Sequence, residues 1–202
     1  MSTDPRVLRA TELPPDFANA LQGMTADGDP PSTLADAVDA LDRLWKSAGV
    51  MVSVEQMYQP GMTRHAVDFG DQREYVPCVL DAVIAALSVG TTPVEVRSAE
   101  PNSNGSVCLS VTDDGVEADP VTAVFSFGVA EGDIQNPDLS VLDETDSVVM
   151  ASCSYINAFG DVTGYRQWQE QLSGAQTMQI DVETLVAFAE IAAEEWVTDE
   201  SA

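Results

Sequence analysis

Asn104-Gly-Ser-Val-Cys-Leu-Ser-Val-Thr-Asp-Asp-Gly-Val-Glu117 decides the reading of the fold. Val107, Leu109 and Val111 alternate with smaller or polar residues, which is the two-residue period of a half-buried strand. Asp113-Asp114-Gly115 then supplies a turn before Val116–Ala118, so the stretch predicts an antiparallel hairpin. Pro93–Ser98 upstream and Ala123–Val129 downstream are further strand candidates, the first set off by an Asn-Ser-Asn-Gly turn. Helical patterns flank this β block. Cys78–Leu87 is an apolar helix with Pro77 at its first position and Gly90 at its end. Gly164–Leu172 and Val182–Trp196 close the chain as helices. The predicted class is α+β, a small and mostly antiparallel sheet flanked by helices.

The N-terminal part is weaker. Residues 1–33 are rich in Pro, Asp and Gly and predict an arm with one short helix at Asp16–Met24. A helix opens at Ser32-Thr-Leu-Ala-Asp36, with Leu34, Val38, Leu41 and Leu44 at helical spacing and Gly49 as its cap. Met51–Met57 and Arg64–Phe69 are strand candidates. Helix, strand, turn and strand suggest a reduced winged-helix-like region over residues 1–63, leaving 64–202 as the main domain. Glu131–Asp146 predicts an exposed acidic loop, and Ser147–Ile156 a returning strand that carries Cys153.

Composition narrows the function. The 202 residues include 34 acidic and 8 basic side chains, a formal net charge of −26. The acids run along the whole chain rather than forming a tail, which suits a surface kept hydrated in concentrated salt. Nucleic-acid binding requires a basic footprint and is excluded. No run approaches the about 18 apolar residues that span a bilayer. With no apolar leader after Met1, the expected compartment is the cytoplasm, where thiols stay reduced.

Three cysteines and one histidine restrict site chemistry further. Zinc is disfavoured because there is no Cys-x-x-Cys and only His65. A serine hydrolase is disfavoured because no Gly-x-Ser-x-Gly elbow exists. Cys108 lies mid-strand and reads as structural. Cys78 and Asp81, three apart at a helix start, share one face, and the helix N-terminus should favour a thiolate at Cys78. The same spacing also fits a buried apolar cysteine with Asp81 as a cap. Cys153 by itself reads as core.

Three blocks in order nevertheless resemble the alkylmercury (organomercurial) lyases. His65-Ala-Val-Asp-Phe-Gly-Asp-Gln-Arg-Glu-Tyr-Val-Pro-Cys-Val-Leu-Asp81 is similar to the family's approach to its first catalytic cysteine and the aspartate after it. Asn104–Glu117 with Ala123–Phe127 resembles the family's β-rich core. Cys153-Ser-Tyr-Ile-Asn-Ala-Phe159, with Trp168 on the helix after it, resembles the segment of the second catalytic cysteine. The chain departs from the family in its short N-terminal region, in lacking a structural cysteine near Glu100–Asn104, and in having Ser152 and Ser154 beside Cys153.

The resemblance implies cleavage of a carbon–mercury bond by protonolysis, giving a hydrocarbon and Hg²⁺. Cys78 and Cys153 would take mercury as thiolates and Asp81 would move the proton. It implies an organomercurial substrate, no organic cofactor, Hg²⁺ as bound product, and a mercuric reductase or small thiols as acceptor. The alternatives are a non-enzymatic thiol protein carrying Hg²⁺ or Cu(I), which would not need Asp81, and a degenerate relative with a structural role.

Overall fold

A computed structural model describes residues 9–25, 29–47, 53–90, 92–130 and 152–196. The expected loop at Glu131–Asp146 and the Gly49 cap lie outside these residues.

Two-residue loops and short turns fold the central sequence back on itself. β1 (His65–Phe69) and β2 (Gln72–Val76) are joined through Gly70, whose φ of 66° is open to glycine at little cost. β3 (Val94–Ala99), β4 (Ser106–Thr112) and β5 (Gly115–Asp119) continue the sheet, in the spatial order β2-β1-β3-β4-β5 with every pairing antiparallel. Cross-strand register sets Val67 against Val96, Val96 against Leu109, and Val94 against Val111, so all of them lie on one buried face. The opposite face carries Asp68, Arg73, Glu95 and Arg97, which form exposed ion pairs. Cys108 is on that outer face, across from Arg97 and Asp119, and is half-buried.

Helix α4 (Val79–Ser88) covers the apolar face; α1 (Pro15–Thr25), α2 (Leu34–Ser47) and the short α3 (Val54–Met57) precede it. Every α4 residue from Val79 to Ala86 is buried, as expected of a helix that is apolar all round. A second sheet has the order β7-β6-β8, from β6 (Val124–Ala130), β7 (Ala158–Phe159) and β8 (Ala175–Ile180). Helix α5 (Val162–Gln169) stands Tyr165 and Trp168 against Phe159, at 5.6 and 5.2 Å between ring centroids. Helix α6 (Val182–Trp196) packs along α4 and also touches α2 and β6. Phe127 on β6 meets Phe17 of α1 and Phe188 of α6, joining the N-terminal helices to one continuous core.

The architecture is the expected α+β arrangement, with local corrections. Over its described part, the strand expected at Met51–Met57 is α3. Ser53 and Gln56 form a reciprocal capping box, a local hydrogen-bond signal that outweighs the alternation. Leu34, Val38 and Leu41 are buried as their spacing implies, while the side chain of Leu44 lies outside the description. Pro77 precedes the cap of α4 instead of starting the helix. β8 was not anticipated, because Ala175-Gln-Thr-Met-Gln-Ile180 is only half-buried along most of its length and does not alternate cleanly.

Candidate active site

Cys78 is the N-cap of α4. Its backbone is extended, and its sulfur accepts a hydrogen bond from the Asp81 N–H at 3.4 Å. The capping role therefore belongs to the cysteine, and the Asp81 carboxylate is left to face the sulfurs. Cys78 Sγ donates to Asp81 Oδ2 at 3.1 Å, and Cys153 Sγ donates to the same oxygen at 3.6 Å. Ligand atoms of all three residues lie within 4.8 Å of one another. Two thiolate–metal bonds of about 2.3 Å each, the value for zinc, reach about 4.6 Å between sulfurs, close to that upper bound.

Cys153 arrives by a route that differs from the expected strand. Ser152 and Cys153 form a helical turn, in which Tyr155 N–H donates to the Ser152 carbonyl and Ile156 N–H to that of Cys153. Extended pairing begins only at Ala158. The part of the expected strand before Ser152 lies outside the described residues. The Val79 N–H, the first free donor of α4, reaches the Ile156 carbonyl at 3.4 Å and ties the two halves of the site together.

Burial sets the protonation of the trio. Cys78 is fully buried, Cys153 is 3 % exposed and Asp81 6 %. Desolvation pushes the Cys78 thiol well up, reinforced by Cys153 and by the Asp81 charge, and the Asp81 N–H offsets this only in part. This corrects the expectation of an acidic Cys78: the helix N-terminus acts in the expected direction, but the loss of water is larger. For Cys153, the Cys78 contact pulls the thiol down, yet burial and the Asp81 charge leave it above the ordinary value. Burial raises Asp81 to about 6 against the pull of both thiol contacts. The resting site is thus two protonated thiols directed at one carboxyl group that exchanges its proton near neutral pH.

His65 does not join this group. It is 1 % exposed on the inner face of β1, where its Nδ1 lies 2.8 Å from Ser98 Oγ. Sequence reasoning missed the residues that seat the Cys153 segment: Ser126, Gly128 and Asn157. Gly128 carried a usable signal, since a glycine inside an apolar strand often marks close approach of another backbone. A Cβ there would lie 2.6 Å from the Tyr155 Cβ.

An α+β enzyme with a buried dithiol and an adjacent carboxylate is the class that fold and site define. Residues 60–194 match the family model described as MerB: Alkylmercury lyase, and the chain belongs to that family. Among solved structures, one described as the mercury-bound form of MerB2 is similar to it, with a TM-score of 0.53 and 13 % identity over 95 % of this chain and 96 % of that one. At that identity the likeness speaks to the fold. No curated protein sequence matches the chain. Among the described residues, no helix is long and apolar enough to cross a membrane.

Proposed function

We propose that the protein cleaves organomercurials by protonolysis at Cys78, Asp81 and Cys153. The observation that carries this reading is the shared acceptor: both sulfurs point at one carboxylate oxygen, within the reach of a single soft ion. Soft thiolate ligands favour a soft metal. Membership in the alkylmercury lyase family supplies the substrate class.

In the proposed sequence one sulfur bonds the mercury of an R–Hg⁺ substrate and its thiol proton passes to Asp81. The second sulfur bonds as well, and its proton leaves to solvent. The electron pair of the carbon–mercury bond then takes the proton held by Asp81, which breaks that bond and releases the hydrocarbon R–H. Mercury stays as Hg²⁺ on two thiolates, so atoms and charge balance. Asp81 at about 6 suits both halves of the transfer, because a group near ambient pH accepts and donates with little penalty. No organic cofactor enters these steps. Product Hg²⁺ would leave to small thiols or a mercuric reductase, whose thiolate sulfurs suit this soft ion better than the oxygen of water does. Residues 1–63 would form an N-terminal arm and reduced winged-helix-like region, and residues 64–202 the catalytic domain. The dispersed negative charge we read as adaptation to a salt-rich cytoplasm.

Incubation with phenylmercury and excess thiol should release benzene. Cys78→Ser and Cys153→Ser should abolish release, while Asp81→Asn should still hold mercury and lose cleavage. Full benzene release by either cysteine variant would sink the assignment.

A further inference from the structure

The two sulfurs are held in different ways. Cys78 is fixed by its place at the cap of a buried helix. Cys153 sits on a helical turn that, among the described residues, has no strand pairing, and on its C-terminal side it is held by whatever grips residues 154–157.

That grip comes from β6 and from one amide side chain. Ser126 Oγ donates to the Tyr155 carbonyl at 2.8 Å and accepts from the Asn157 N–H at 2.9 Å. The Ser126 N–H donates to the Asn157 carbonyl at 2.9 Å. Asn157 Nδ2 donates to the Ser154 carbonyl at 3.1 Å, and its Oδ1 accepts from Arg64 Nη2 at 3.2 Å. The amide orientation follows from the chemistry, since a carbonyl can only accept and a guanidinium can only donate. Asn157 and Ser126 are both fully buried. Gly128, two residues along β6, leaves room for Tyr155 to lie against the strand.

We propose that Asn157, seated on Ser126, is the positioning residue of Cys153. Its side-chain donor closes the 154–157 loop from within, and its backbone registers that loop on β6. Together these hold the Cys153 sulfur at Asp81 and opposite Cys78. The inference rests on the mercury reading of the site. Groups that orient metal ligands from behind carry about 10–100-fold of the metal affinity.

The test loads the full-length protein with Hg²⁺ and measures the mercury retained against rising dithiothreitol, with thermal unfolding followed in parallel. Asn157→Ala removes both side-chain contacts. Asn157→Asp keeps the acceptor for Arg64 and replaces the donor to Ser154 with a carboxylate oxygen, a buried charge beside Arg64. The parallel unfolding curves show whether each variant folds. Ser98→Ala is the control, because Ser98 is equally buried and hydrogen-bonded, to His65, away from the site. Cys153→Ser sets the level for a lost sulfur. Both Asn157 variants should release mercury at about 10–100-fold less competitor than the parent. Ser98→Ala should unfold at lower temperature and hold mercury as the parent does. Parent-like retention in both Asn157 variants beside a weak Cys153→Ser overturns the positioning role alone. Equal losses in Ser98→Ala and Asn157→Ala also overturn it, by showing general loosening. Parent-like retention in Cys153→Ser overturns the mercury reading and this inference together.

Discussion

The five-stranded sheet pairs strands that mostly follow one another along the chain, whereas the three-stranded sheet gathers β6, β7 and β8 from residues 124 to 180. Cys78 and Asp81 belong to the helix on the first sheet, and Cys153 to a turn laid on the second. Half of the site is thus built by local rules and half by contacts that no local pattern announces. Substitutions in the second sheet should therefore disturb the site more than equally buried ones in the first.

The sharpest way to break that contrast is to empty each core. Phe127→Ala removes the ring that meets Phe17 and Phe188 at 5.1 and 4.5 Å. Its expected cost is about 3–5 kcal/mol in denaturant unfolding. Leu109→Ala, fully buried in the first sheet, should cost about 2–5 kcal/mol. If the comparison holds, mercury retention by the folded protein falls in the Phe127 variant and not in the Leu109 variant. Equal retention by both would show that the two sheets support the site alike.

His65 offers a pH-dependent probe of the first sheet. Burial, with the nearby Arg64 charge, holds its folded-state pKa down to about 3. The unfolded chain takes up this proton below about 6.5 while the folded protein refuses it, so stability is lost as pH falls from 6.5 towards 3. The slope approaches about 1.4 kcal/mol per pH unit. Asp81 works in the opposite sense, since a raised carboxyl pKa adds stability as pH falls through about 6. Unfolding curves of the parent and His65→Gln at pH 7, 6 and 5 isolate the histidine, because Asp81 contributes to both. A parent-like slope in His65→Gln would refute a neutral buried imidazole.

Gly128→Ala is the milder perturbation of the second sheet. The added methyl would meet the Tyr155 Cβ at 2.6 Å and the Thr177 Cγ2 at 2.7 Å. Overpacking of this kind costs about 1–3 kcal/mol. It should also slow benzene release, because Tyr155 is two residues from Cys153. Unchanged turnover with lowered stability would separate the strand from the site.

These differences follow what the residues disclose. β3, β4 and β5 were readable because Val94, Val96, Val107, Leu109 and Val111 alternate and glycine turns separate the strands. Helix α4 was readable from an apolar run ended by Gly90. β7 is only two residues long and β8 is half-buried, so neither carries a usable period. Cys78 and Asp81 could be paired by spacing, and Cys153 only through resemblance to a family. Asn157 and Ser126 are unremarkable by type; their partners are set by tertiary contacts.

The smallest expected effect lies on the outer face of the first sheet. Asp68 accepts from both Arg73 and Arg97, and Arg97 also meets Glu95; the two arginines and Glu95 are half-exposed, while Asp68 is more sheltered. Arg97→Gln should cost at most about 1 kcal/mol, since exposed pairs are screened and hold two flexible side chains. Set against this is a net charge of −26 over the whole chain. Salt weakens the ion pairs and the self-repulsion together, and the sign of its effect tells which is larger. A few pairs worth under about 1 kcal/mol each cannot match repulsion among dispersed carboxylates once screening shortens from about 10 Å at 0.1 M to 3 Å at 1 M. Stability should therefore rise between those concentrations in both the parent and Arg97→Gln, with the gap between them narrowing. A fall in the parent would mean that the outer-face ion pairs, and not repulsion, set the salt response.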